Sequence, residues 1–179
     1  QRDISYKIIA VGSIVTIIVT FLFFWFGVME GNLLFAIVGI LLVTVIAFLF
    51  TTVAANAIAI VGSNPVSGMT LMTLILASVV MVAVGLKGMG GMVAALIMGG
   101  VVCRALSMSC SFVTDLKIGY WLGTTPAKQE TWKFLGTLVS AATVGGVMIL
   151  LNETYGFASG SLAAPQANAM AAVIDPLMN

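Results

Sequence analysis

Arg104, Ser107, Ser111 and Asp115 fall at i, i+3, i+7 and i+11 in a mostly apolar stretch. On a helix that spacing gathers them on one face. A guanidinium, two hydroxyls and a carboxylate on one stripe can bind a polar solute or carry a proton. Charged groups within a span usually face the bundle interior or a wet cavity. If the helix instead ends near Cys103, Arg104 snorkels to the headgroups. Arg104 and Asp115 are about 16 Å apart on a straight helix, too far to pair directly. Asp115 is the first candidate for a coupling or gating carboxylate and Glu153 the second.

A second candidate lies in Gly62-Ser63-Asn64-Pro65-Val66-Ser67-Gly68-Met69, which interrupts a stretch with no charge between Glu30 and Lys87. Pro65 removes an amide donor and biases Asn64 away from helix. Gly62 and Gly68 permit positive φ. Asn64 and Ser67 offer side-chain donors and acceptors, and Ser67 could cap the helix that follows. Backbone freed at membrane depth is tolerated only in buried protein or beside a wet cavity. Broken helices there commonly mark a transporter's binding region. The stretch reads either as a re-entrant segment presenting Asn64, Pro65, Ser67 and Gly68 to a substrate or as an ordinary turn between two helices.

The run from Asp115 to Glu130 is read as a charged loop. Lys117, Tyr120 and Trp121 suit a membrane interface. Gly119 and Gly123 suit close helix contact. Pro126 suits the first turn of an interfacial helix capped by Thr124 or Thr125. A gate and an amphipathic connector fit this composition alike; as a gate it would use Lys117 and Tyr120 beside Asp115 and Arg104.

Other chemistry is poorly supported. The sequence contains no histidine, so a His-based metal site or proton relay is excluded within these residues. Cys103 and Cys110 are about 10.5 Å apart along a helix, too far to bridge; they read as small buried hydrophobes. The 11 methionines read as gap fillers rather than a soft-metal path. No nucleophile–base pair or metal-ligand cluster is visible, so neither an enzyme nor a cofactor is expected.

The elements that position these residues follow from composition. Hydrophobic residues make up 61% of the 179-residue chain and charged residues 7%, against roughly 25% charged in soluble domains. The chain therefore belongs in a lipid bilayer, and without a basic run it has no nucleic-acid partner. The expected architecture is an all-α polytopic membrane protein. Five spanning helices are expected over 8–28, 33–55, 69–86, 92–112 and 132–151, each near the ~20 residues a bilayer requires. Residues 56–68 and 156–172 are candidate re-entrant segments; the second, with Ala164-Pro165-Gln166 and Asn168, echoes the first. The 8–28 run is too long for a signal-peptide core and lacks a cleavage site. Arg2 and Lys7 flank one end of the bundle. Lys117, Lys128 and Lys133 lie four spans later, so both groups can face the cytoplasm.

Three ordered stretches resemble the oligopeptide transporter superfamily, which includes peptide transporters and yellow stripe-like metal-chelate transporters. They are Ser63-Asn64-Pro65-Val66-Ser67-Gly68-Met69-Thr70; Asp115-Leu116-Lys117-Ile118-Gly119-Tyr120 with Thr124-Thr125-Pro126-Ala127-Lys128-Gln129; and Leu162-Ala163-Ala164-Pro165-Gln166-Ala167. The set is most similar to bacterial members. The resemblance implies proton-coupled uptake of small peptides or peptide-like, sometimes metal-bound, substrates by alternating access. It implies that this chain is a portion of a larger carrier, C-terminal in position, in a bacterial inner membrane. Its partners would then be protons, a small peptide-like substrate and the carrier's remaining helices or a homo-oligomer. Asn64, Pro65, Ser67, Gly68, Gln166 and Asn168 are the expected substrate contacts. The alternative is a structural or accessory subunit whose small-residue faces pack against a larger complex.

Overall fold

A computed structural model describes residues 3–29, 31–63, 65–157 and 165–178. Among them there are helices and no strand. Helix α1 (Tyr6–Phe23) closes with a π-helical turn, Phe24–Val28. It is followed by α2 (Leu33–Val61), α3 (Val66–Val84), α4 (Gly88–Leu122), α5 (Pro126–Tyr155) and α6 (Pro165–Met178). Five of these, counting α1 with its π turn, are long and apolar enough to cross a membrane.

The centre of the structure is α4. Gly91, Ala94, Ala95, Met98, Gly99, Val102, Leu106 and Cys110 form its buried stripe, against which α2, α3 and α6 pack. Small residues on that stripe let neighbouring backbones approach closely. At Gly99 the approach is tight: an added Cβ would lie 3.1 Å from Leu74 Cδ1. Thr70, Thr73 and Ser78 are buried on α3. Each hydroxyl donates to the carbonyl four residues earlier, at 2.7–2.8 Å. The helix thus satisfies its own polar side chains, as an apolar environment demands.

The turn between α3 and α4 is short. Gly85 adopts φ +108, and Leu86 N–H donates back to the Met81 carbonyl at 2.9 Å, closing α3 in a Schellman-type turn. Helix α6 runs antiparallel to α4. Its C-terminal Met178 lies beside Gly91, while Ala171, Ala172, Ile174 and Asp175 share a cavity of about 340 Å³ with Met92 and Leu96.

By contrast, α1 and α5 bury no residue. Helix α1 is apolar on nearly every side and the middle of α5 largely so, as expected of helices facing lipid or further helices. Ile4, Ile8 and Gly12 line a cavity of about 480 Å³ with Phe134. The beginning of the chain and the α4–α5 turn therefore lie at the same end of the bundle, in keeping with four intervening crossings.

Several boundaries differ from the sequence expectation. Helix α2 does not stop near Ala55. Asn56 stays in the helix, its amide donating to the Thr52 carbonyl at 2.9 Å, and the chain leaves helical geometry only at Gly62, with φ +73. The candidate re-entrant stretch 56–68 thus divides into the last turn of α2, a short link, and the first turn of α3. Asn64 lies outside the described residues. Pro65 occupies the N-cap position, and α3 has no side-chain cap bond. Ser67 is therefore a first-turn residue and not the cap.

The expected loop over 115–131 is also mostly helix. Helix α4 continues to Leu122, and α5 starts at Pro126. Asp, Lys and Tyr are acceptable helix residues once no membrane penalty applies, so only Gly123, at φ +74, ends α4. Thr125 is the N-cap of α5 but makes no side-chain cap bond. Pro126 opens the long α5 itself and not a separate interfacial helix. The second re-entrant candidate, 156–172, falls partly on residues outside the description; its described end, from Pro165, begins α6.

Candidate functional site

Where α5 folds back along α4, the polar face of α4 meets its counterpart. Lys133, Thr137 and Ser140 recur at i, i+4 and i+7 on α5, the same geometry that aligns Arg104, Ser107, Ser111 and Asp115 on α4. The Lys133 ammonium donates to Ser111 Oγ at 2.8 Å and to Asp115 Oδ2, an ion pair between the two helices. It also lies 5.0 Å from the Phe112 ring centroid, within cation–π range. The Lys133 side chain is 15% exposed and that of Asp115 51%, so the lysine is the enclosed partner and the carboxylate faces outward. Thr137 donates to the Lys133 carbonyl at 2.8 Å and approaches Met108 Sδ at 3.9 Å.

Lys133 lines two cavities, an outer one toward the α4–α5 turn and an inner one farther along the helices. The outer one, about 320 Å³, is lined by Phe112, Asp115, Leu116, Ile118, Gln129, Glu130 and Lys133. The inner one, about 260 Å³, is lined by Arg104, Ser107, Met108, Ser111, Lys133, Gly136, Thr137 and Ser140. Two carboxylates therefore border the outer cavity and none the inner one. The side chain of Arg104 has no hydrogen bond or ion pair among the described residues, and neither has that of Ser107 or Ser140.

The hairpin that sets this register is tightly built. Gly123 ends α4, Thr124 N–H donates to the Gly119 carbonyl at 3.0 Å, and Gln129 Nε2 donates to Thr124 Oγ1 at 2.9 Å. Gln129 lies directly over Gly119, where any Cβ would overlap its amide. Lys117 sits 5.9 Å from the Tyr120 ring centroid and 5.6 Å from that of Trp121. All three are exposed at the outer end of α4, an arrangement suited to a headgroup region.

The remaining sequence candidates lie elsewhere. Glu153 is exposed in the last turn of α5, at the opposite end from Asp115. Ser67 and Gly68 are exposed, with open space beside Gly68. Gln166 and Asn168 are exposed on the first turn of α6. Neither α4–α5 cavity is lined by Pro65, Ser67, Gly68, Gln166 or Asn168. Arg104 lies on the side of α4 away from Val102 and Leu106, which pack into the core. Sequence reasoning missed Lys133, Thr137, Ser140, Gln129 and Glu130. The same face-counting applied to α5 finds the first three.

Comparison with known proteins gives concordant findings. The family described as "OPT oligopeptide transporter protein" matches residues 1–179. A Haemophilus influenzae protein described as "Putative oligopeptide transporter" is 28% identical over 130 residues, covering 62% of this chain and 20% of that protein. The chain thus spans about a fifth of the length of the curated relative it matches. No solved structure matches.

Proposed function

Because the chain belongs to the oligopeptide transporter family, we propose that it forms part of a secondary carrier for small peptides or peptide-like substrates, metal chelates included. The carrier works by alternating access and is coupled to protons. The α4–α5 seam is the coupling element, with Asp115 as the proton acceptor and Lys133 as the group released when Asp115 is neutralised. Further helices, from the same carrier or from other copies, cover α1 and α5, whose lack of any buried residue supports this reading. The α4–α5 turn and the N-terminal end lie on the cytoplasmic side of a bacterial inner membrane, following the Lys and Arg clustered there. Ser67 and Gly68, with Asn64 and Pro65, and Gln166 with Asn168, contact substrate during part of the cycle.

The observation that carries this proposal is the Asp115–Lys133 pair at the junction of an acid-lined and a cation-lined cavity. An ion pair between two helices that is lost when its carboxylate is neutralised is a local charge change able to bias how the helices sit.

The test is uptake of labelled tripeptides by the whole carrier in proteoliposomes, with and without an inward proton gradient. Asp115→Asn should abolish stimulation by the gradient while leaving exchange down a substrate gradient measurable. Unchanged gradient-driven uptake in that variant would remove Asp115 from coupling.

A further inference from the structure

The inner α4–α5 cavity has a composition that coupling alone does not use. Arg104 lies about 24 Å along α4 from Gly88 at 1.5 Å per residue, and its guanidinium has no anionic partner among the described residues. Ser107 and Ser140 face the same space with unused hydroxyls. The second cation, Lys133, is already neutralised by Asp115. The cavity therefore presents one uncompensated positive charge and two neutral donors. An arginine fork pairs with a planar oxyanion through two parallel hydrogen bonds. A volume of about 260 Å³ falls below the roughly 300–1,000 Å³ of pockets that enclose a whole drug-sized ligand. It therefore admits one end of a molecule.

We propose that this cavity is a carboxylate seat: Arg104, with Ser107 and Ser140, holds the terminal carboxylate of the transported molecule. The proposal rests on the peptide-carrier reading and gives Arg104 a substrate-binding role where coupling or gating was expected of it. A single free charge matches a monoanionic carboxylate, whereas a phosphate monoester would need a second unpaired cation. Release of Lys133 when the Asp115 charge is lost would add a second cation beside the seat and strengthen carboxylate binding there.

The test is calorimetric binding of trialanine and trialanine amide to the whole carrier in phosphatidylcholine nanodiscs. The free acid should bind at least tenfold more tightly than the amide. Arg104→Gln should reduce that ratio to near one, and Arg104→Lys should keep part of it. Ser140→Leu, which fills the cavity from the exposed helix without touching the α4 core, should reduce the ratio as Arg104→Gln does. A wild-type ratio near one, or a preference that persists in Arg104→Gln and Ser140→Leu, would overturn the seat. An Arg104-dependent heat on adding phosphatidylglycerol, with none for trialanine, would assign the site to a lipid phosphate and also overturn it. If Arg104-dependent acid binding is present but no tripeptide uptake occurs, the seat stands and the carrier reading falls.

Discussion

Lys133 on α5 and Asp115 on α4 form an ion pair across the α4–α5 seam, with the lysine enclosed and the carboxylate half exposed. The same ammonium is bonded to Ser111, so one side chain ties α5 to two successive turns of α4.

That pair should be energetically modest and functionally large. With Asp115 half exposed, a double-mutant cycle of Lys133→Met and Asp115→Asn is expected to give a coupling of about 1 kcal/mol in thermal unfolding. Gradient-driven uptake should fall at least tenfold in Lys133→Met. The exchange Lys133→Asp with Asp115→Lys should restore part of it, because the pair is re-formed with its polarity reversed.

Gly119 is a close-approach site. Any side chain there meets the Gln129 amide. Gly119→Ala should displace Gln129 from Thr124 and lower stability by about 1 kcal/mol through the lost hydrogen bond. Gly119→Leu should push the hairpin apart, read as loss of a crosslink between cysteines placed at Ser111 and Lys133.

Gly90 and Gly91 give a matched pair. A Cβ at Gly91 would lie 2.8 Å from the Leu86 carbonyl oxygen and 3.2 Å from Met178 Sδ, while Gly90 has open space around it. Gly91→Ala should lower unfolding stability in detergent by about 1–3 kcal/mol through overpacking. Gly90→Ala should be neutral, or stabilising by about 0.5–1 kcal/mol through helix propensity. Equal effects at the two positions would mean that neither the Leu86 carbonyl nor Met178 of α6 closes on Gly91 as described.

Trp25 closes the π turn after α1. Its indole Nε1 donates to the Gly31 carbonyl at 2.9 Å. Trp25→Phe should keep the ring and lose the bond, lowering stability by about 1 kcal/mol. The check is faster amide exchange over the α1–α2 connection, with little change in α3 and α4.

The fold class was legible because long apolar runs leave few alternatives to membrane helices. The α4 polar stripe was legible because helical spacing alone sets which residues share a face. The partner of Asp115 was not, since choosing Lys133 over Lys117 or Lys128 requires knowing how α5 registers against α4. That register depends on the short Gly123–Thr125 turn and on Gln129 lying over Gly119. The extent of α4 was misread for a compositional reason. Charge after Thr114 was taken as loop, but it marks where a continuing helix leaves the apolar layer. Asn56 misled similarly: its amide found a carbonyl within its own helix instead of breaking it.

Helix α5 buries none of its 30 residues and meets the rest of the structure mainly beside a three-residue turn. Mechanically it is a lever with its fulcrum at Gly123 and its load at Glu153. At 1.5 Å per residue it is about 45 Å long, so a tilt of about 10° at the fulcrum would move the far end by roughly 8 Å. The Lys133–Asp115 bond sits close to the fulcrum, where a displacement of an ångström or so is enough to break it. By the same geometry, a small displacement at that bond corresponds to one several times larger at the Glu153 end of α5.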